Sequence, residues 1–139
     1  MKSTLFLTPS TRSTAGVLLL TIVAIQYGGW FMLRVVRGQQ PATPFQQSFF
    51  RAGHAHAGVL VILALVSQIL GSGAHIGGLL GSLASNAIWV AAIMMSAGFF
   101  LSSAGRNATT PNGFIVVLYL GAVSLGVGVL SLGFGLLTA

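Results

Sequence analysis

The side chains able to do chemistry in this chain are few, and most of them stand together. Residues 49–66 read FFRAGHAHAGVLVILALV, so Arg51, His54 and His56 sit at the mouth of a long apolar run. Two soft donors, Met94 and Met95, lie in a later apolar run. Neutral imidazole is the usual protein ligand for haem iron, and methionine can supply the sixth position. Copper also suits histidine with methionine. Residues two apart on an α-helix point about 200° apart, so His54 and His56 cannot clamp one ion or one haem between them. Each belongs to its own face. His54 shares a stripe with Gln47, Arg51, Gly58, Val61, Leu65 and Gln68, and His56 lies with Phe49, Gly53, Leu60, Leu63 and Ser67. Polar groups on a membrane helix usually face the bundle interior, which assigns the main load to His54. Gly53 and Gly58 flank the pair and leave room for something flat or bulky.

The segment GHAHAGVL, residues 53–60, resembles the His-x-His elements that open membrane helices in the haem–copper oxidase subunit I superfamily and in small NnrS-like membrane proteins. In those proteins the two histidines can serve different cofactors on opposite faces of a helix. The resemblance implies haem b ligation by His54 and His56. Oxidase chemistry does not carry over, because the further copper-ligand histidines and most of the helices of that fold have no counterpart here. Two other uses of the pair stay open. His54 could hydrogen-bond Gln26, Tyr119 or a lipid phosphate beside Arg51, and a bare metal could take one or two ligands on one face.

Composition limits the remaining chemistry. The 139 residues are 55% hydrophobic and 4% charged, whereas a soluble domain carries roughly 25% charged residues. The solvent of this chain is lipid. It has neither Asp nor Glu and no Cys. Carboxylate acid–base pairs, carboxylate calcium sites, disulfides, iron–sulfur clusters and thiolate zinc sites are therefore excluded. Proton-driven carriers usually rely on an intramembrane carboxylate, so that class is disfavoured. No nucleophile–base–orienter set or phosphate loop is present, which argues against an enzyme. The net charge of +6 comes from scattered Lys and Arg residues. They suit anionic lipid headgroups rather than nucleic acid.

Four apolar runs are long enough to position these residues across a bilayer, since a span needs about 20 residues. Backbone polar groups must pair internally in hydrocarbon, and no strand alternation is seen. The expected fold is all-α and integral to the membrane, an up-down bundle of four helices at roughly 9–36, 44–70, 78–101 and 111–137. The first run is longer than a cleaved signal's apolar core and is expected to be retained. Thr8-Pro9, Thr43-Pro44 and Thr110-Pro111 each offer a threonine cap followed by proline at the first helical position. Gln46 completes a capping box with Thr43. The loops between helices are short, which makes neighbours antiparallel. Rise per residue then sets depth: Met94, Met95 and His56 fall at one level, with Gln26, Tyr27, Trp30 and Tyr119 in the same half of the membrane. His75, in the second loop, is about 30 Å from His54 and cannot join a site with either histidine.

Basic residues near the ends set orientation. Arg34, Arg37, Arg51 and Arg106 lie toward the first and third loops and are expected to contact headgroups; Lys2 and Arg12 lie on the other side. The excess places loops 1 and 3 in the cytoplasm and both termini outside, in a plasma membrane. An Asn107-Ala108-Thr109 sequon would then face the wrong side for glycosylation. Finally, Gly121, Ser124, Gly128, Ser131 and Gly135 recur at spacings of three and four. Small residues let helices approach closely in lipid, so this seam packs either on helix 1 or 3, or on another subunit. The resulting expectation is an accessory subunit that docks a larger membrane complex of the respiratory or redox kind, or a homo-oligomer, through this seam and contributes an imidazole to haem. The alternative is a free-standing small cytochrome or a small-molecule or metal transport protein.

Overall fold

Threonine begins two of the helices as anticipated. Thr8 accepts a hydrogen bond from the backbone N–H of Thr11, and Thr43 from that of Gln46 at 3.1 Å. The Gln46 carboxamide oxygen in turn accepts from the Thr43 N–H at 3.1 Å, closing the capping box. The computed structural model describes residues 7–139, so Lys2 lies outside the described residues. The elements are α1 (Pro9–Val36), α2 (Pro44–Gly73), α3 (Gly78–Ser102) and α4 (Ile115–Thr138). All four are long and apolar enough to cross a membrane. The protein is an all-α integral membrane protein, and among the described residues there is no strand.

Thr110-Pro111 does not start the last helix. The Asn112 backbone N–H donates to the Ser102 carbonyl at 2.8 Å, and its carboxamide donates to the Leu101 and Ala104 carbonyls. These bonds satisfy carbonyls at the end of α3, which have no partner within their own helix. They also tie Asn112 to that end. Its side-chain oxygen accepts from the Phe114 N–H at 2.9 Å, and regular helix begins only at Ile115. At the other side, α2 continues to Gly73, three residues past the expected end. His75 and Gly78 then turn the chain with φ of 55° and 64°.

Successive helices run antiparallel. α3 makes its most extensive contact with α4 and the next with α2, while α1 rests on α2. The core lies around α3, where Ala84, Ile88 and Ala91 are fully enclosed together with Ala64 of α2. Small side chains there bring backbones close, as lipid-embedded packing favours. The Gly/Ser seam supplies the α4 side of this contact. A Cβ on Gly121 would lie 2.8 Å from the Met95 backbone nitrogen, and one on Gly128 would lie 3.0 Å from that of Ile88. Ser124 donates to the Ala87 carbonyl at 2.8 Å, Ser131 is buried, and Gly135 meets the Ile76 side chain. The seam is thus filled by α3 and the residues just before it. Of the two placements that the spacing allowed, this is the internal one.

Loops 1 and 3 are clasped together. Gln46, buried at 8% exposure, donates to the carbonyls of Ser103 at 3.1 Å and Gly105 at 2.9 Å. The Thr43 hydroxyl donates to the Ala108 carbonyl. This clasp sets the register between α2 and the end of α3, and so fixes what stands opposite each histidine.

Candidate functional site

The α2–α3 register places Gly53 against the Phe100 ring and the Phe99 Cβ, with a Cβ position 2.9 Å from the Phe100 ring. The space expected beside Gly53 is therefore taken by α3, while nothing lies within 4 Å of Gly58. One residue on, His54 turns toward α1. Its Nδ1 is 3.2 Å from the Cβ position of Gly28, and its Nε2 is 3.6 Å from that of Gly29. The paired glycines let the ring lie directly on the α1 backbone. Gln26 and Tyr119, the partners anticipated for His54, are both exposed on outer faces. Among the described residues His54 forms no side-chain hydrogen bond.

His54 lines one end of a cleft of about 530 Å³ between α1, α2 and α3. Such a volume lies within the range of small-ligand sites. α1 contributes residues from Ser13 to Gly28, a run of about 22 Å at the helical rise. Ala57 and Val61 form its floor on α2, and Trp89, Ala92, Ile93, Ser96 and Phe100 form the α3 wall. The lining is overwhelmingly apolar, and among the described residues no Arg or Lys belongs to it. Thr21 and Ser13 return their hydroxyls to carbonyls of their own helix. Ser96 does not: its Oγ is buried without a hydrogen-bond partner, the one such side-chain atom among the described residues. Contacts of Gly53 with Phe100 and of Gln68 with the Ser85 carbonyl fix the register, which sets Ser96 opposite Ala57, one turn below His54. The indole N–H of Trp89 donates to the Asn86 side chain at 3.2 Å, which orients that ring.

His56 stands on the opposite side of α2, half-buried, with its ring 4.9 Å from that of Phe99. Its Nδ1 is 2.7 Å from the Ala52 carbonyl oxygen. A carbonyl only accepts, so Nδ1 carries the proton and the neutral ring leaves its lone pair on Nε2. That is the arrangement in which a ligating imidazole is normally held. Met94 and Met95 reach the expected depth but not the histidines. Both pack on α4 at Gly121, and Met95 belongs to the core. Among the described residues, neither methionine is brought to an imidazole as a second axial donor. Among the described residues no group of three metal-ligating side chains occurs.

The polar stripe of α2 divides by depth. Gln68 is buried and donates to the Ser85 carbonyl. Arg51 is exposed and donates to Gln47 at 3.3 Å. Arg34 lies 5.0 Å from the Trp30 ring, which itself packs 5.4 Å from Tyr27. Arg37 and Arg106 are exposed at the same end of the bundle. His75 is exposed in the second loop, as its sequence context suggested. Sequence reasoning missed Ser96 and Trp89. A signal for them exists: Trp89, Ala92, Ile93, Ser96 and Phe100 recur at helical spacing, with one hydroxyl in an otherwise greasy face. No family model, no curated protein and no solved structure matches this chain.

Proposed function

We propose that this chain is a small, non-catalytic, multi-pass membrane protein that binds a membrane-dissolved, elongated and largely apolar small molecule in the cleft between α1, α2 and α3. The observation that carries this reading is the cleft itself. It is long, apolar and sized for a small ligand, and at one end it brings together, one helical turn apart, the His54 ring and the buried, unpartnered hydroxyl of Ser96. A slot lined only by apolar groups would be filled by any acyl chain; convergent polar groups in an apolar pocket are the mark of a ligand site. The lack of carboxylates and thiols in the chain supports binding or carriage rather than catalysis. Purification in mild detergent followed by native mass spectrometry tests the reading. One defined small molecule should accompany the wild-type chain and be lost from Ala57→Leu, which fills the floor of the cleft. Recovery of only the bulk lipid mixture from both would refute it.

A second reading is favoured by one observation, the Nδ1 proton of His56 held by the Ala52 carbonyl. In it, His56 supplies a single axial imidazole to a haem b shared with another membrane subunit, and the chain is an accessory subunit of a redox complex. A Soret band in the purified complex that disappears with His56→Ala, but not with His54→Ala, supports this reading. A colourless complex excludes it. In both readings Arg34, Arg37, Arg51 and Arg106 bind anionic headgroups on the cytoplasmic side, with both termini outside. Their excess over Arg12 and Lys2 supports that orientation.

A further inference from the structure

We infer that the cleft selects a ligand with an uncharged, hydrogen-bonding head, a carbonyl or hydroxyl, seated between Ser96 and His54, with its apolar tail running along α1 toward the second loop. This rests on the cleft being a ligand site and goes on to name the chemistry it accepts. Ser96 lies about 9 Å inside the end of α3 at the helical rise, among Ala92, Ile93, Phe100 and Ala57. Its buried hydroxyl has a donor and acceptor capacity that nothing among the described residues uses. A neutral His54 ring donates through one nitrogen and accepts through the other. The two groups together can therefore satisfy either a carbonyl or a hydroxyl.

Charged heads are disfavoured by the same lining. An ammonium would meet no carboxylate, because the chain contains none. A carboxylate would meet no Arg or Lys in the cleft. Pairing it with a protonated imidazole would take two charges out of water, and that desolvation can exceed their attraction. Direction follows from position. The polar pair is at the loop 1 and loop 3 end of the cleft; Val17, Leu18, Val61 and Trp89 line the stretch below, and Ser13 and Thr14 stand only at its far mouth.

Trp89 offers the measurement. The chain has two tryptophans, so a Trp30→Phe background leaves Trp89 as the sole emitter in the cleft wall. The full chain, in nanodiscs, is titrated with brominated long-chain probes of identical tail. They end in a hydroxyl, a ketone, a carboxylate, a trimethylammonium or a plain methyl group. The hydroxyl or ketone probe should quench Trp89 at the lowest concentration. Ser96→Ala should weaken that probe about threefold, as expected for one hydrogen bond within a membrane, and leave the plain methyl probe unchanged. Ser96→Thr, which restores a hydroxyl, should recover the wild-type titration. Because Ser96 Oγ bonds nothing among the described residues, Ser96→Ala should also melt like the parent. If the plain methyl probe, or either charged probe, competes equally, the head-group inference is overturned while the cleft stands. If no probe quenches beyond brominated phospholipid acyl chains, the cleft is not a ligand site and both readings fall.

Discussion

Gly98 offers the most demanding test of the packing that builds the cleft wall. It lies on the face of α3 turned to α4, and a Cβ there would stand 2.5 Å from the backbone nitrogen of Leu118 and 2.7 Å from its Cα. Carbon in ordinary contact needs about 3.5 Å. Backbone cannot rotate aside as a side chain can, so Gly98→Ala must separate α3 from α4 by roughly 1 Å at this level. Overpacking of this kind costs about 1–3 kcal/mol. A separation that spreads about two turns along α4, from Leu118 to Ser124, would lengthen the 2.8 Å bond from Ser124 to the Ala87 carbonyl past useful range, adding about 0.6 kcal/mol. The control is Gly126→Ala on α4, where nothing lies within 4 Å of the added carbon. Alanine is the better helix former by about 1 kcal/mol, so this variant should be neutral or slightly stabilised. Both are measured by titrating a denaturing detergent into the protein in mild micelles, with helicity as the readout. Gly98→Ala should unfold at clearly lower denaturant. If the two variants unfold together, the close α3–α4 approach is not what holds the bundle, and the account of the small-residue core fails.

Other outcomes follow from named contacts. Gln46→Ala strips the donor from the buried Ser103 carbonyl and from that of Gly105 and should cost about 1–3 kcal/mol; an unchanged melting temperature would mean the loop clasp carries no weight. Gly128→Leu should collapse the bundle of the isolated chain, since Ile88 already fills the site. A variant that melts normally but loses a partner would return the seam to an intermolecular role. Gln68→Leu removes the bond to the Ser85 carbonyl and should lower stability by about 0.6 kcal/mol, read in the same detergent titration. Reporter fusions should place the C-terminus outside the cytoplasm, and a cytoplasmic signal there would reverse the orientation drawn from the arginines.

Local physics made much of this protein legible from its residues alone. Hydropathy over twenty positions located all four spans, because each span meets lipid on its own and needs no neighbour to be recognised. The Thr43–Gln46 capping box was readable because its atoms lie three residues apart. Divergence of His54 and His56 followed from the pitch of a helix. The remainder depended on which helix lies beside which, and at what rotation. Thr110-Pro111 has the same local form as Thr43-Pro44, yet α4 starts later because Asn112 bonds to the end of α3, a contact between segments. Rise per residue put Met94 and Met95 at the depth of the histidines, but depth carries no azimuth, and α3 turns them toward Gly121 on α4. The spacing of Gly121, Ser124, Gly128, Ser131 and Gly135 announced a close approach without naming the helix that fills it. Ser96 reads as one hydroxyl among many in the chain. It became a candidate only when the tertiary structure closed its surroundings, denied it a carbonyl, and left it facing the same cleft as His54.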